Sequence, residues 1–168
     1  LGLPSGTKWA AQNVGARKPS DAGLYFAWGE TQGYTKDQIG TGEGKKNFYW
    51  NDCKWNPSGD GETFTKYTTI GATLDLEDDA AHVNMGGSWH IPTVDQIKEL
   101  INNTTHKSTT LDDVNGRLFT SKKDISKSIF FPETGKAFDG SVDLSESFGV
   151  VWSSMLSLDF VDSGRYLD

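Results

Sequence analysis

Turn-forming residues interrupt this chain so often that only two short segments keep the apolar periodicity of a helix. Glycine alone supplies 19 of the 168 residues, and Asn, Asp, Ser and Thr are spread along the whole length. This pattern argues against long helices and favours short strands joined by loops. Two helices combined with several short strands predict an α+β fold, with the helices flanking small antiparallel sheets.

The first helical segment follows Pro92. Thr93 and Gln96 have the spacing of a capping box, in which each side chain bonds the other residue's backbone N–H. We therefore predict a helix over residues 94–103. Four apolar side chains fall on one face of that helix: Val94, Ile97, Leu100 and Ile101.

The second helical segment covers residues 75–85. Negative charge stabilises a helix N-terminus, and four acidic residues stand at the start of this segment: Asp75, Glu77, Asp78 and Asp79. Gly86 and Gly87 follow it and predict its C-terminal end.

The remaining chain predicts short strands and one long loop. The strand candidates are residues 8–11, 24–28, 117–120, 128–131 and 150–153. Residues 30–74, called the excursion below, form a polar, glycine-rich stretch, and irregular stretches of such length are often functional. Seven aromatic residues predict that the excursion packs on itself: Tyr34, Phe48, Tyr49, Trp50, Trp55, Phe64 and Tyr67.

Length and charge limit the class of protein. A chain of 168 residues fits one domain, which we expect to span residues 1–168. Because the sequence begins with Leu1, we expect it to be part of a longer polypeptide. The net charge of −7 argues against a nucleic-acid partner, and the lack of a long apolar run argues against membrane insertion.

Catalytic and metal-binding motifs are weak. Cys53 is the single cysteine, which excludes an internal disulfide and a cysteine-built zinc site. The three histidines His82, His90 and His106 are scattered and lack the spacing of a nucleophile–base pair or a metal triad. Oxygen-rich stretches near residues 51–62 and 139–143 miss the spacing of a calcium loop. We therefore predict no catalytic residue, no metal and no cofactor.

Four stretches carry a resemblance to a known family. They are residues 1–16 (LGLPSGTKWAAQNVGA), 21–30 (DAGLYFAWGE), 79–93 (DAAHVNMGGSWHIPT) and 151–154 (VWSS). Together they resemble the bacterial major-paralogous-domain family, which occurs in surface proteins of gut bacteria and in phage tail proteins. The resemblance implies a C-type-lectin-like fold, with Trp89 as a large core anchor. The motif residues are Trp9, Trp28, Gly86, Gly87, Trp89, Pro92, Thr93 and Trp152.

Two activities of similar proteins are not carried over. The formylglycine-generating oxidases work through a cysteine pair, and this chain has Cys53 alone. Animal lectins bind calcium through a Trp-Asn-Asp motif late in the domain. Here residues 50–52 spell that motif before the 86–93 segment, in the wrong order.

The terminal segment resembles the variable region of diversity-generating retroelements. Those systems mutate adenines of Asn codons, which never yields Lys, Glu, Gln, Trp or Met. Residues 156–168 contain none of these five types. We expect Leu156, Val161 and Leu167 to anchor this segment. The predicted ligand-binding residues are Met155, Ser157, Asp159, Phe160, Asp162, Ser163, Arg165, Tyr166 and Asp168. The family usually continues past this segment into a closing strand, so we expect that either this strand is missing here or the domain closes differently.

These observations predict a non-enzymatic binding module. Its partner would be a bacterial cell-surface protein or glycan, and its location a phage virion tail or a bacterial cell surface. A homo-oligomer is expected if the chain belongs to a tail fibre. Two alternatives stay open: a structural domain without its own ligand, and an enzyme that pairs Cys53 with a histidine.

Overall fold

The computed structural model describes residues 1–144 and 149–156, and the backbone of residues 164–167. Within these residues the chain forms two α-helices and seven strands, and the strands pair into three small antiparallel sheets. The predicted α+β class, with two helices and small antiparallel sheets, is therefore confirmed. In this part of the chain no helix has the length and apolar character needed to cross a membrane.

Helix α2 spans Val94–Asn103, as predicted, and begins with the expected capping box. The Thr93 hydroxyl accepts from the Gln96 N–H at 3.2 Å, and Gln96 Oε1 accepts from the Thr93 N–H at 2.9 Å. Ile97 and Leu100 are buried, whereas Ile101 at the edge of the apolar face is exposed. The helix could be predicted because its start signal and its buried face are both local in sequence.

Helix α1 spans Ala80–Met85 and is shorter than predicted. Leu76–Asp78 form a separate 3-10 turn, and the side chain of Asp79 caps α1 by accepting from the His82 N–H at 2.9 Å. An acidic residue that accepts this bond must sit outside the helix, so the first helical residue follows Asp79. Gly86 ends the helix with a φ of 72°, as its position predicted.

The largest sheet has three strands in the order β1-β2-β3: β1 Thr104–Leu111, β2 Val114–Ser121 and β3 Ser128–Pro132. Asp112 and Asp113 join β1 to β2, and both have positive φ angles, 49° and 61°, as a tight hairpin turn requires. The predictions of strands at 117–120 and 128–131 are confirmed. Strand β1 was missed because nearly all of its side chains are polar and exposed.

Two short hairpins complete the sheets. Strands β4 Lys136–Phe138 and β5 Ser141–Asp143 form one, and β6 Val151–Leu156 and β7 Gly164–Leu167 form the other. The predicted strand at 150–153 corresponds to β6.

The predicted strands at 8–11 and 24–28 are wrong. The second segment contributes a single bridge, in which Tyr25 and Tyr34 exchange backbone hydrogen bonds of 2.8 and 2.9 Å. Gly23 and Gly29 flank this segment with positive φ angles, which turn the chain away from an extended ladder.

The core lies between α1, the 24–28 segment and β6. Its buried residues are Leu74, Ala80, Ala81 and Ile91, and the partly buried side chains around them include Phe26, Trp28 and Trp152. The expectation that Trp89 anchors the core is wrong, because Trp89 is 37% exposed. Ile91 takes the buried position instead, and its N–H donates to both carboxylate oxygens of Asp79.

Candidate functional site

Strand β6 is attached to the core by two tryptophan indoles. Trp28 Nε1 donates to the Ser153 carbonyl, and Trp152 Nε1 donates to the Phe26 carbonyl, each at 2.9 Å. The two indoles thus bond across the same pair of chain segments in opposite directions. Buried indole N–H groups need such acceptors, so both bonds fix the position of β6 relative to residues 26–28.

Backbone hydrogen bonds hold β6 from other directions. Ser154 N–H donates to the Pro92 carbonyl at 2.9 Å, and Leu74 N–H donates to the Ser154 carbonyl at 2.8 Å. Leu156 N–H donates to the Ala72 carbonyl at 2.8 Å, and its side chain is 3% exposed. Because its hydrogen-bond partners come from three distant parts of the sequence, β6 is held firmly in place within the fold.

The predicted ligand-binding residues begin in this strand. Met155 lies in β6, is half-buried and forms a backbone bridge with Thr73. Arg165 and Tyr166 belong to β7, where the Cα of Tyr166 pairs with that of Trp152. The other predicted contacts lie outside the described residues, as does the predicted anchor Val161: Ser157, Asp159, Phe160, Asp162, Ser163 and Asp168.

The motif that carries the family resemblance connects α1, α2 and β6. Gly86 and Gly87 turn the chain after α1 with φ angles of 72° and 59°. Pro92 then accepts from β6, and Thr93 caps α2. Trp9 contacts Phe131 edge to face at 6.1 Å, and its buried Nε1 has no acceptor among the described residues.

A buried ion pair, which sequence reasoning missed, organises the excursion. The Lys46 ammonium bonds Glu30 at 2.9 Å and also contacts the Asp52 carbonyl, while only 5% of its side chain is exposed. Burial disfavours the charged ammonium, but the hydrogen bond and the charge of Glu30 outweigh it and raise the pKa of Lys46 above its ordinary value. No local pattern marks this pair, since its partners are 16 residues apart.

Four aromatic rings of the excursion and β4 form a continuous surface row, called the aromatic strip below: Phe138, Tyr49, Trp50 and Phe64. Their ring centroids are 5.6, 6.4 and 5.9 Å apart in that order. Tyr49 is 42% exposed and Phe138 is 50% exposed. Sequence reasoning placed three of these rings in the excursion but did not predict that Phe138 joins them.

An acidic cluster at the base of α1 is neutralised by lysines. Asp75, Glu77 and Asp78 surround the Lys66 ammonium at 2.7, 3.2 and 2.5 Å, and Lys54 adds a second bond to Asp78. Burial alone would raise the pKa of Asp78. Hydrogen bonds from Lys66, Tyr67 and Lys54 instead hold the pKa of this carboxyl below its ordinary value. The cluster ties the excursion to α1.

Among the described residues the three histidine rings contact residues other than Cys53. Cys53 is half-buried, and burial raises the pKa of its thiol, which disfavours the reactive thiolate. The His82 and His90 rings contact the carbonyls of Trp89 and Ser88, at 3.2 and 3.0 Å. The ring of His106 stacks on Phe119.

A cleft of about 1030 Å³ connects these features. Its lining includes all four tryptophans that carry the family resemblance: Trp9, Trp28, Trp89 and Trp152. The four rings of the aromatic strip line the same cleft. The exposed Trp89 therefore belongs to a wall of this cleft rather than to the closed core.

Comparisons with known proteins identified no relative of this chain. No protein-family model, no curated protein and no solved structure matches this chain.

Proposed function

We propose that this chain is a binding module with a C-type-lectin-like fold. Residues 155–168 recognise a bacterial cell-surface protein or glycan, and the module belongs to a phage tail or a bacterial surface protein. In a tail fibre it works as a homo-oligomer. Recognition rests on complementary side chains presented by a rigid backbone, so no bond is made or broken and no cofactor takes part.

The observation that carries this proposal is the attachment of β6. The recognition segment begins at the end of the strand that Pro92, Ala72 and Leu74 hold by backbone hydrogen bonds. A fixed starting point lowers the entropy lost when side chains beside it bind a partner. Variation of the predicted ligand-binding residues within 155–168, with the anchor residues kept, then changes the contacts without changing the scaffold.

The architecture also supports the lectin-like part of the proposal. Two helices, small antiparallel sheets and a long excursion without regular structure occur together, and a hairpin brings β7 back onto β6. The motif residues Pro92 and Thr93 link α2 to β6, which gives the segment that carries the resemblance a structural role.

The test is binding of the purified chain to a panel of gut bacterial strains. A variant with Ala at Phe160, Arg165 and Tyr166 removes the large side chains of the proposed surface. The matched control carries Ala at Leu111, Arg117 and Ile125, which are exposed on or beside the three-stranded sheet. We expect loss of cell binding in the first variant and retention in the control. Equal binding by both would refute the proposed surface and favour the structural-domain alternative.

A further inference from the structure

The aromatic strip lies on the excursion and β4, outside residues 155–168. We propose that it is a carbohydrate-binding site. The apolar face of a sugar ring stacks on one of two rings, Tyr49 or Phe138, and contacts the other, whose plane is inclined by 69°. This inference does not rest on the function proposed for residues 155–168. It starts from two aromatic side chains that the fold leaves 42% and 50% exposed next to each other, at a ring distance of 5.6 Å.

The backbone holds Tyr49 outward. Phe48 has a φ of 56°, a left-handed conformation that is rare for a bulky residue. Its ring packs edge to face on Tyr34 at 5.8 Å, while the next residue, Tyr49, is exposed. The Tyr49 N–H donates to Asn47 Oδ1 at 2.8 Å, which fixes the turn. The exposed ring therefore starts from a defined backbone position.

Phe138 is tied to the same turn. The Gly140 N–H, in the turn after β4, donates to the Asn47 carbonyl at 2.6 Å. Gly140 has a φ of 71°, and a Cβ there would lie 2.4 Å from Thr41 Cγ2. This close approach keeps the β4–β5 hairpin against the excursion, so Tyr49 and Phe138 hold their relative positions without a ligand.

Trp50 and Phe64 form the other end of the aromatic strip. Their rings meet edge to face at 5.9 Å, and a Cβ on Gly61 would lie 2.9 Å from Trp50 Cδ1. The indole thus packs directly on backbone. A preorganised row of rings loses little conformational entropy on binding, which favours recognition of a small ligand.

Two exposed polar residues that follow rings of the strip in sequence offer partners for sugar hydroxyls. Asn51 is exposed, and its Oδ1 accepts from Asn47 Nδ2 at 3.0 Å. That bond leaves the Asn51 amide N–H₂ without a partner among the described residues. Asp139 is exposed next to Phe138 and offers carboxylate acceptors. Amide donors and carboxylate acceptors together match hydroxyl groups, which both donate and accept.

The exposed area selects a sugar over a protein partner. An aromatic side chain offers roughly 200 Å², so the exposed fractions of Tyr49 and Phe138 supply roughly 200 Å² together. A stable protein interface takes about 800 Å² from each partner. One or two sugar rings fit the smaller area. The negative faces of aromatic rings also attract the C–H groups of a pyranose, which carry partial positive charge.

The experiment titrates the purified chain with four probes: methyl α-D-glucoside, methyl α-D-mannoside, methyl β-D-galactoside and N-acetylglucosamine. Amide and indole NMR shifts report the binding. We expect at least one sugar to shift the Trp50 indole resonance. Tyr49→Ala and Phe138→Ala should each lower the affinity for that sugar roughly fivefold or more. Tyr49→Phe keeps the ring and should keep most of the affinity.

Ile125→Ala is the matched control, because it removes an 85% exposed apolar side chain from the β2–β3 connection. Thermal unfolding shows whether each variant is folded. Absence of shifts with all four sugars, or equal weakening by Ile125→Ala, would overturn the inference. Self-association that Tyr49→Ala abolishes would also overturn it, in favour of a second copy. The variant with Ala at Phe160, Arg165 and Tyr166 should bind sugar normally, which separates this site from the proposed cell-binding surface.

Discussion

The excursion and the three-stranded sheet are stabilised by different kinds of contact. Strands β1, β2 and β3 pair residue by residue through regular backbone ladders. The excursion has only short 3-10 turns and isolated bridges, and side chains hold it: the Lys46–Glu30 pair, the Asp78 cluster and stacked aromatic rings. Each of these side-chain contacts depends on only a few residues. A single substitution in the excursion should therefore lower the free energy of unfolding more than a substitution at an exposed position of the sheet.

The largest effect is expected at Lys46. Lys46→Ala leaves the Glu30 carboxylate buried and unpaired, which should lower the free energy of unfolding by about 3–5 kcal/mol. Lys107→Ala, on exposed strand β1, is the control and should change it by less than about 0.5 kcal/mol. Urea unfolding measures both. Similar losses in the two variants would contradict the dependence of the excursion on its buried pair.

Close backbone packing should make one position of the sheet sensitive as well. A Cβ at Gly116 would lie 2.4 Å from the Phe131 carbonyl oxygen, so Gly116→Ala should cost about 1–3 kcal/mol. Gly42→Ala in the excursion is the control, since a Cβ there meets nothing within 4 Å. Thermal unfolding of the two variants compares them directly. A Gly116→Ala protein as stable as Gly42→Ala would disprove the close approach of β3 to β2.

Acid should weaken the attachment of the excursion to α1. The pKa of folded Asp78 is below its ordinary value, so its carboxylate stabilises the fold above the unfolded pKa. That contribution is lost as the pH falls below about 4 and through the folded pKa. Asp78→Asn should cost about 1 kcal/mol at pH 7, and its difference from the unmutated chain should shrink in acid.

The control for this acid effect is Asp124, in the β2–β3 connection. Hydrogen bonds from Ser126 and Lys127 lower the pKa of Asp124 to about 2, but the residue lies at the surface. Solvent screens the charge of Asp124, whose side chain is 40% exposed, far more than that of Asp78, which is 3% exposed. Urea midpoints between pH 7 and pH 2.5 should therefore depend less on Asp124→Asn than on Asp78→Asn. The reverse order would show that the excursion is not held by its acidic cluster.

The smallest effect is expected in the β1–β2 turn. Asp113→Gly should raise the free energy of unfolding by about 0.5 kcal/mol, because glycine adopts the φ of 61° without strain. Phe48→Gly relieves the same kind of strain but removes the ring that packs on Tyr34, so it should destabilise the excursion. Thermal unfolding of the two variants shows whether each turn is stabilised mainly by its backbone conformation or by a side-chain contact. A net gain from Phe48→Gly would refute that distinction.

Local signals explain what could be predicted about the fold. The bounds of α2 follow from the Thr93–Gln96 capping box, which lies within four residues of sequence. The start of α1 was placed too early because acidic residues favour both a helix terminus and the turn before it. Residues 24–28 look like a strand by composition, yet they bond β6 through one indole from each segment, Trp28 and Trp152, rather than through a backbone ladder.

One of the two candidate sites could be predicted from the sequence, and the other could not. Composition and the family resemblance pointed to residues 155–168, and the structure adds the attachment of β6 at which that segment begins. The aromatic strip could not be found by pattern, because Tyr49 and Phe138 are separated by almost 90 residues of sequence. No periodicity or motif relates two residues that meet because Gly140 packs against Asn47 and Thr41.

By itself the sequence determined the α+β class, both helices, three of the strands and the self-packing of the excursion, because turns, caps and apolar periodicity act over a few residues. The tertiary structure decided that Trp89 faces a cleft while Ile91 is buried. It also decided that Lys46 is sequestered with Glu30 and that four rings form one strip. Burial and charge pairing depend on which distant segments meet, and that choice is made by the packing of the whole chain.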